Sequence, residues 1–174
     1  MKRLWTPWRM PYLSGEDRQA GEDLPSGCIF CAKPQASDEA EHILCRGQHC
    51  YVTLNKYPYN NGHLMVIPYR HVASTEDLEI PALTEMMVLT NLSLAVLRRA
   101  YHPHGFNLGI NLGEAAGAGI AEHVHLHIVP RWRADTNFMP IIGETRVIPE
   151  MLEETYRRLR PIFDELWGDR TTGS

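Results

Sequence analysis

Three histidines alternate with aliphatic residues in the segment Glu122-His123-Val124-His125-Leu126-His127-Ile128-Val129-Pro130. Successive side chains of an extended strand point to opposite faces, so the three imidazoles should share one face and the aliphatic residues the other. Near neutral pH an imidazole can attack an electrophile, accept a proton or bind a metal. The pattern therefore predicts a strand with a core face and a chemical face whose ring nitrogens are open to water.

Cys28 and Cys31 have the two-residue spacing of a zinc knuckle. They supply two of the four ligands of a tetrahedral site, and the other two must come from among Cys45, Cys50, His42, His49, His71 and the three histidines of the strand. A redox pair is the competing interpretation, although no obvious strand-to-helix context surrounds it. Cys45 and Cys50 lie within predicted strands, where small buried thiols are the commoner role.

Two other segments place polar residues at predicted strand ends. In the first, Asn55 precedes a turn that leads into His63. An Asn at a strand end commonly caps a turn, so this residue alone is weak evidence of binding. In the second, a Gly- and Ala-rich loop from Gly113 to Gly119 follows Asn111 and leads into the histidine strand. Its glycines would let backbone N–H groups approach a phosphate, and a flexible hairpin connection is the alternative.

The histidine strand needs further strands to pair with. Apolar, β-prone runs at about 42–46, 49–55 and 62–68 are separated by turn residues and predict an antiparallel meander. A further strand is predicted at 105–111, before the glycine loop. These elements make up a core of about 28–135, which follows an N-terminal arm of 1–27.

Two helices are predicted to complete the domain. Apolar residues recur at helical spacing from about Pro81 to Tyr101, and this helix should cover one face of the sheet. A last helix is predicted from about Pro149 to Trp167, within a C-terminal segment of about 148–168, with a bend at Pro161 as an option. The order of strands, helix, strands and helix predicts an α+β fold in a single domain of 1–174.

Charge and hydropathy narrow the range of partners and compartments. With 17 Lys and Arg against 21 Asp and Glu, the net charge of −4 gives no overall attraction to nucleic acid or anionic membranes. No apolar run follows the basic residues of Met1 to Pro7, and the apolar stretch from Met86 to Leu97 is too short to span a bilayer. We therefore expect a cytoplasmic protein with reduced cysteines and neither nucleic-acid nor membrane partners.

The histidine strand, preceded about sixty residues earlier by Asn55 and Gly62-His63, resembles the histidine triad (HIT) family of nucleotide hydrolases and transferases. The resemblance extends from about Cys28 to Trp132. The segments Arg3–Met10 and Ala121–Trp132 further resemble the bacterial branch of diadenosine tetraphosphate phosphorylases.

The resemblance implies a HIT-like fold, with an antiparallel sheet of about five strands, one long helix and a C-terminal helix, in a homodimer. It implies an enzyme that cleaves the α-phosphate linkage of diadenosine polyphosphates through a nucleotidyl-histidine intermediate, with phosphate or water as the acceptor. His125 would be the nucleophile, His127 would contact the α-phosphate and His63 would complete the site. The implied nucleotide-binding residues are Asn55, Asn111, Gly119, His127 and Trp132.

The resemblance also implies a structural zinc and no organic cofactor, with Cys28, Cys31, His71 and His123 as the zinc ligands. One departure from the family pattern concerns the loop before the triad, where several relatives place Ser or Gln. Here the sequence is Gly119-Ile120-Ala121, so that backbone N–H groups would have to replace the side chain. The choice between phosphate and water as acceptor stays open for this reason.

Three other functions remain alternatives. One is a nucleoside phosphoramidase, although that branch has an acidic residue at the position of Asn55. Another is a metallohydrolase in which triad histidines bind a catalytic metal, although no carboxylate follows on the same face. The last is a nucleotide-binding protein without turnover. Substitution of His125 distinguishes a covalent enzyme from the metallohydrolase and the binding protein.

Overall fold

The computed structural model of the chain describes residues 27–133, 135 and 150–172, the last four of them as backbone only. Almost all of the predicted N-terminal arm therefore lies outside the described residues. The described strands are β1 (Ile43–Arg46), β2 (Cys50–Leu54), β3 (Leu64–Pro68), β4 (Gly105–Ile110) and β5 (Leu126–Arg131). The described α-helices are α1 (Ile29–Ala32), α2 (Ile80–Tyr101) and α3 (Leu152–Thr172).

The strands form one antiparallel sheet in the order β1-β2-β3-β5-β4. The first three strands are the predicted meander, and the histidine strand β5 inserts between β3 and β4. This arrangement confirms the predicted α+β fold and the five-stranded antiparallel sheet. Because β5 has a neighbour on each side, the residues that follow the glycine loop lie near the centre of the sheet.

Strand β5 begins later than predicted, at Leu126 rather than at Glu122. Pairing with β3 starts at the Val66–Leu126 pair. The preceding residues are extended but leave the ladder, because the Val124 N–H donates to the carbonyl of Val72, which lies beyond the end of β3. His125 is therefore the residue immediately before the strand.

The predicted alternation of faces nevertheless holds. Val124, Leu126 and Ile128 are buried in the main core, between the sheet and the helices α2 and α3. Helix α2 contributes the largest share of this core through Ala82, Met86, Leu89, Leu92, Val96 and Leu97. Full burial of each large aliphatic side chain stabilises the fold by roughly 1.5–3 kcal/mol. This core covers the face of the sheet opposite to the histidines.

Helix α2 agrees with the prediction of about Pro81 to Tyr101, whereas α3 begins and ends later than the predicted Pro149 to Trp167. Helix α2 has 22 residues and, among the described parts of the chain, is the one helix long and apolar enough to cross a membrane by length and composition. The expectation that no segment spans a bilayer was based on the shorter apolar stretch from Met86 to Leu97, which lies within α2. Core helices of folded domains meet the same criteria, and α2 packs on the sheet. Helix α3 continues through Pro161 and past Trp167.

A second, smaller core covers the histidine face of the sheet. It consists of Cys28, Phe30, Ile43, Tyr51, Met65 and Ile67, with Ile120 packed against it. Met65 of β3 lies directly opposite His127 of β5, so this core adjoins the triad. It buries His123 and His125 and leaves His127 half-buried. The expectation of a water-exposed histidine face was therefore wrong for two of the three imidazoles.

Candidate active site

His125 is held in one tautomer by the backbone. Its Nδ1 lies 2.9 Å from the carbonyl oxygen of His123. A carbonyl only accepts, so Nδ1 carries the proton and Nε2 holds the lone pair. Burial lowers the pKa of His125, which keeps the ring neutral near pH 7. His125, 4% exposed, therefore has the protonation state that a nucleophile requires.

A relay of hydrogen bonds sets the tautomer of His127. The backbone N–H of Tyr59 donates to Nδ1 of His63, at 3.1 Å. The proton of His63 must then be on Nε2, which lies 3.0 Å from Nδ1 of His127 and donates to it. His127 consequently carries its own proton on Nε2 and can donate to a phosphate oxygen. The rings of His125 and His127 are in edge contact, with centroids 4.7 Å apart.

Tyr59 was not predicted as a site residue. Besides its backbone contact, its ring stacks on that of His63, with centroids 4.9 Å apart and planes at 24°. The turn that carries it is tied to the end of β5, because the Asn60 side chain donates to the Pro130 carbonyl and to the Asp135 carboxylate. Backbone donors leave no signature in residue type, so the turn before His63 was the only signal that pointed to this region.

Asn55 lies beside His63 and caps the turn between them. Its Oδ1 accepts the backbone N–H of Tyr57 at 2.9 Å, and its Nδ2 lies 3.5 Å from both ring nitrogens of His63. This is the turn-capping role typical of Asn at a strand end. The side chain is buried at the edge of the histidine site. Ribose binding by Asn55 stays a prediction.

Asn111 immediately follows β4, and continued alternation would place it on the histidine face. The register pairs Gly109 with His127, so these two residues share a face, and Asn111 lies two residues after Gly109. A Cβ atom at Gly109 would meet no atom of the described residues within 4 Å, which leaves space there next to His127. Phosphate binding by Asn111 stays a prediction.

The loop after Asn111 depends on glycine conformations. Gly113 and Gly117 have φ values of +77° and +84°, which other residues rarely adopt. They enclose the 3₁₀ turn Glu114–Ala116, and Gly119 is exposed at the end of the loop. The loop therefore presents backbone close to the start of the triad segment, as the predicted phosphate contact requires, and the contact itself stays a prediction.

Trp132 is not brought to the triad. Its indole N–H donates to the carbonyl of Tyr101, at the C-terminal end of α2, over 3.4 Å. Side chains of β5 alternate between the two faces of the sheet, and Leu126 and Ile128 lie on the face that the helices cover. The same alternation, continued past the end of β5, would place Trp132 on that face. A nucleotide contact by Trp132 stays a prediction that this geometry does not favour.

The four predicted zinc ligands converge on one point. Cys28, Cys31, His71 and His123 each offer one ligand atom, and all of these atoms lie within 4.8 Å of one another. Cys28 immediately precedes α1 and Cys31 lies within it, His71 follows β3, and His123 precedes β5. Cys45 and Cys50, by contrast, are buried in strands, and burial raises the pKa of each thiol to about 12. They are inert core thiols, as predicted.

The spacing of the four atoms fits a tetrahedral zinc. Bonds of about 2.3 Å to sulfur and about 2.0–2.1 Å to nitrogen place a sulfur about 3.5 Å from a nitrogen, and two nitrogens about 3.3 Å apart. Nδ1 of His123 lies 3.4 Å from Sγ of Cys28 and 3.6 Å from Sγ of Cys31. Nδ1 of His71 lies 3.4 Å from Sγ of Cys31 and 3.3 Å from Nδ1 of His123. A single proton on Nδ1 of His123 could not form hydrogen bonds to Cys28, Cys31 and His71 at once, whereas one cation could bind all four atoms.

The protonation states also suit a metal. Nε2 of His123 lies 2.8 Å from the carbonyl of Pro68 and donates to it, which leaves the Nδ1 lone pair for a metal. Burial lowers the pKa of His123 to about 4, so the ring is neutral. Burial and the neighbouring Cys28 thiol raise the pKa of Cys31 to about 11. A bound cation would reverse that rise, because it stabilises the thiolate.

Comparison with known proteins agrees with this arrangement. Residues 37–134 match the family model described as HIT domain. The chain is 46% identical over 161 residues to AP-4-A phosphorylase of Mycobacterium tuberculosis, covering 91% of this chain and 83% of that protein. It is 30% identical over 122 residues to Bis(5'-adenosyl)-triphosphatase of Dictyostelium discoideum, covering 66% and 80%.

A solved structure gives the same result for the fold. The crystal structure of a Zn-bound histidine triad family protein from Mycobacterium smegmatis matches with a TM-score of 0.65 at 26% identity, over 82% of this chain and 96% of that one. The triad on one face of a five-stranded sheet, the family model that spans more than half of the sequence and this structural match lead to one conclusion. The chain belongs to the HIT family.

Proposed function

We propose that this HIT protein cleaves diadenosine polyphosphates at the α-phosphate through a nucleotidyl-His125 intermediate, with inorganic phosphate as the acceptor. The observation that carries the proposal is the tautomer of His125, whose Nδ1–H donates to the His123 carbonyl and leaves the lone pair on Nε2. The names of two relatives, AP-4-A phosphorylase and Bis(5'-adenosyl)-triphosphatase, support the substrate class. The first of them supports phosphate as the acceptor.

In the first step, Nε2 of His125 attacks the α-phosphorus, and the bond from that phosphorus to the bridging oxygen breaks. With diadenosine tetraphosphate, ATP leaves and an adenylyl group remains on His125. The ring becomes positively charged in this step, and the Nδ1–H bond to the His123 carbonyl stabilises that charge. In this proposal the Nε2–H of His127 donates to the departing oxygen or to an oxygen of the α-phosphate.

In the second step, an oxygen of inorganic phosphate attacks the same phosphorus, the P–N bond breaks, and ADP leaves with His125 restored. Asn111 and the backbone N–H groups of the loop before the triad meet the charge on the phosphate oxygens in this proposal. The loop has Gly119-Ile120-Ala121 where several members of the resembled family place a Ser or Gln side chain, so backbone groups take that part in this proposal.

The metallohydrolase alternative requires triad nitrogens that converge on one metal. The described nitrogens instead point to different partners: Nδ1 of His123 to the cysteines, Nδ1 of His125 to a carbonyl, and Nδ1 of His127 to His63. We therefore favour a structural zinc on Cys28, Cys31, His71 and His123. All four positions of that site are filled by protein atoms, as in structural rather than catalytic zinc sites.

We also propose that the chain works as a single HIT domain in the cytoplasm, without nucleic-acid or membrane partners. Cys28, Cys31, Cys45 and Cys50 form no disulfide, as a reducing compartment favours. The net charge of −4 supports the absence of polyanionic partners.

A homodimer is the proposed assembly, joined through β4. Among the described strands β4 is at the edge of the sheet, with no described strand paired to its outer side, and Leu108 in its centre is 47% exposed. Met87 and Val88 of α2 add exposed apolar surface. We expect a dimer at micromolar concentration in sedimentation equilibrium, and Leu108→Lys should weaken it at least about tenfold, which is about 1.4 kcal/mol.

Met151→Lys is the control for the dimer prediction. Met151 is 69% exposed and lies just before α3, a helix that packs on α2 and on β1 at the other edge of the described sheet. This variant should keep the dimer affinity of the natural sequence. A natural chain that stays monomeric at micromolar concentration would contradict the assembly.

Product analysis tests the proposed reaction. The protein is incubated with diadenosine tetraphosphate, with and without ¹⁸O-labelled phosphate. The nucleotide products are then separated, and their masses are measured by mass spectrometry. Phosphorolysis predicts ATP and ADP, with the label in the β-phosphate of ADP. ATP and AMP in both incubations would identify water as the acceptor. If diadenosine tetraphosphate stays intact while a nucleoside phosphoramidate is cleaved, the phosphoramidase alternative is correct.

A further inference from the structure

Phe30 connects the candidate metal site with the nucleophile. It lies between Cys28 and Cys31 and is 3% exposed. Its ring centroid is 4.8 Å from that of His125, with planes at 59°, and 5.6 Å from that of His123, with planes at 88°. One aromatic side chain thus contacts both a metal ligand and the nucleophile.

The position of Phe30 is itself fixed on several sides. Its carbonyl accepts the hydroxyl of Tyr51 at 2.7 Å, and Tyr51 is fully buried. The backbone N–H groups of Cys31 and Ala32 both donate to the carbonyl of Cys28, at 3.1 Å, and close the turn around Phe30. The thiols on either side belong to the four-residue cluster. The ring therefore belongs to a rigid, close-packed unit.

His125 has less support of its own. Among its side-chain hydrogen bonds in the described part of the chain, the single one is from Nδ1 to the His123 carbonyl. A single bond leaves the ring free to tilt about the Cβ–Cγ bond, and a half-turn would exchange the positions of the two ring edges. Phe30 and His127 are the rings that limit this rotation by contact.

We propose that Phe30 is a positioning residue that holds the imidazole of His125 in the rotamer in which Nε2 faces the substrate. The proposal rests on the proposed function, because it takes His125 as the nucleophile. The Cys28–Cys31 turn then has a second role besides binding the metal, because it carries the side chain that orients the reacting group. A misplacement of reacting atoms by about 1 Å can cost about 10²-fold in rate, so a single packing contact can control turnover.

The test compares Phe30→Leu with the control Ile29→Ala. Leucine keeps an apolar side chain in the pocket but removes the flat ring, whereas Ile29 lies in the same turn and has no ring contact with His125. Zinc content, dimer mass, kcat, KM and the rate of adenylyl-His125 formation in single turnover are measured for each. The ¹⁵N resonances of His125, in protein labelled at histidine, report its tautomer and the Nδ1 hydrogen bond.

Phe30→Leu should retain zinc and the dimer, lower kcat and the single-turnover rate by about 10- to 100-fold, and leave KM within about twofold. Its His125 ¹⁵N resonances should shift toward the average of two tautomers. Ile29→Ala should resemble the natural sequence in all of these measurements. A raised KM with unchanged kcat and unchanged resonances would instead make Phe30 a substrate contact and overturn the proposal.

Two further results distinguish a positioning role from a folding defect and from failure of the proposed function. If Phe30→Leu does not fold, Tyr51→Phe removes the hydroxyl that holds the Phe30 carbonyl, and we expect the same changes in kcat and in the His125 resonances at smaller size. An unchanged Tyr51→Phe variant then contradicts the proposal. If the natural sequence forms no adduct, the proposed function fails, while the His125 resonances still decide whether Phe30 orients the ring.

Discussion

His125→Ala is expected to lower the turnover of diadenosine tetraphosphate by roughly 10⁴-fold or more, because it removes the nucleophile and with it the whole covalent route. The structure gives this residue the lone pair on Nε2, through the bond of Nδ1 to the His123 carbonyl. Zinc content should remain close to that of the natural sequence, since His125 is not one of the four clustered ligands. Initial rates of ATP release provide the measurement.

His104→Ala is a suitable control for this experiment. His104 is exposed before β4, where its Nδ1 accepts the backbone N–H of Arg133, outside the triad. Its loss should leave turnover near normal. A near-normal rate in His125→Ala would show that the covalent assignment is wrong, and loss of the metal in that variant would favour a triad-bound metal instead.

Removal of the zinc should cost the protein a large part of its stability. Structural zinc contributes about 10–16 kcal/mol to isolated zinc-finger peptides. We expect at least about 3 kcal/mol here, which corresponds to a fall in melting temperature of roughly 6–12 °C for a chain of this size. The cost is high because the cation would join three segments that are distant in the sequence: the Cys28–Cys31 turn, His71 and His123. Calorimetry with and without a strong chelator measures the change.

Single variants separate the zinc site from the rest of the fold. Cys31→Ser should lose zinc and show the same fall in melting temperature without chelator, since serine is a poor zinc ligand. His49→Ala removes an imidazole near the β1–β2 turn and should retain one zinc per chain. Two results would contradict the site. One is a Cys31→Ser protein with the melting temperature of the natural protein, and the other is a metal-free natural protein that is as stable as the zinc-loaded one.

Much of the fold was predictable because it follows from local patterns. The alternation around His125 determined which side chains face the core, and the helical spacing after Pro81 located α2. The ends of elements were less predictable, since they depend on distant partners. Val124 donates to Val72 rather than into the sheet, so β5 starts only at Leu126. Pro161 does not end α3, because neighbouring turns of the helix retain their packing on α2 and β1.

The candidate site was also predictable only in part. The resemblance supplied four ligands that the fold brings together, although they come from three distant parts of the sequence. What residue types could not reveal was the part played by backbone atoms: the Tyr59 N–H that fixes His63, and the His123 carbonyl that fixes His125. Burial of His125 under Phe30 was equally hidden, because it depends on how the segment from Cys28 to Cys31 folds back over the sheet.

The covalent intermediate is the central claim, and trapping it is the most direct test. The protein is mixed rapidly with diadenosine tetraphosphate without phosphate, quenched, and examined by intact-mass and peptide mass spectrometry. We predict a mass increase of one adenylyl group, located on His125, that disappears on addition of phosphate with the release of an equal amount of ADP. Rapid ATP release with no adduct at any time, or an adduct on a different residue, would contradict the covalent mechanism.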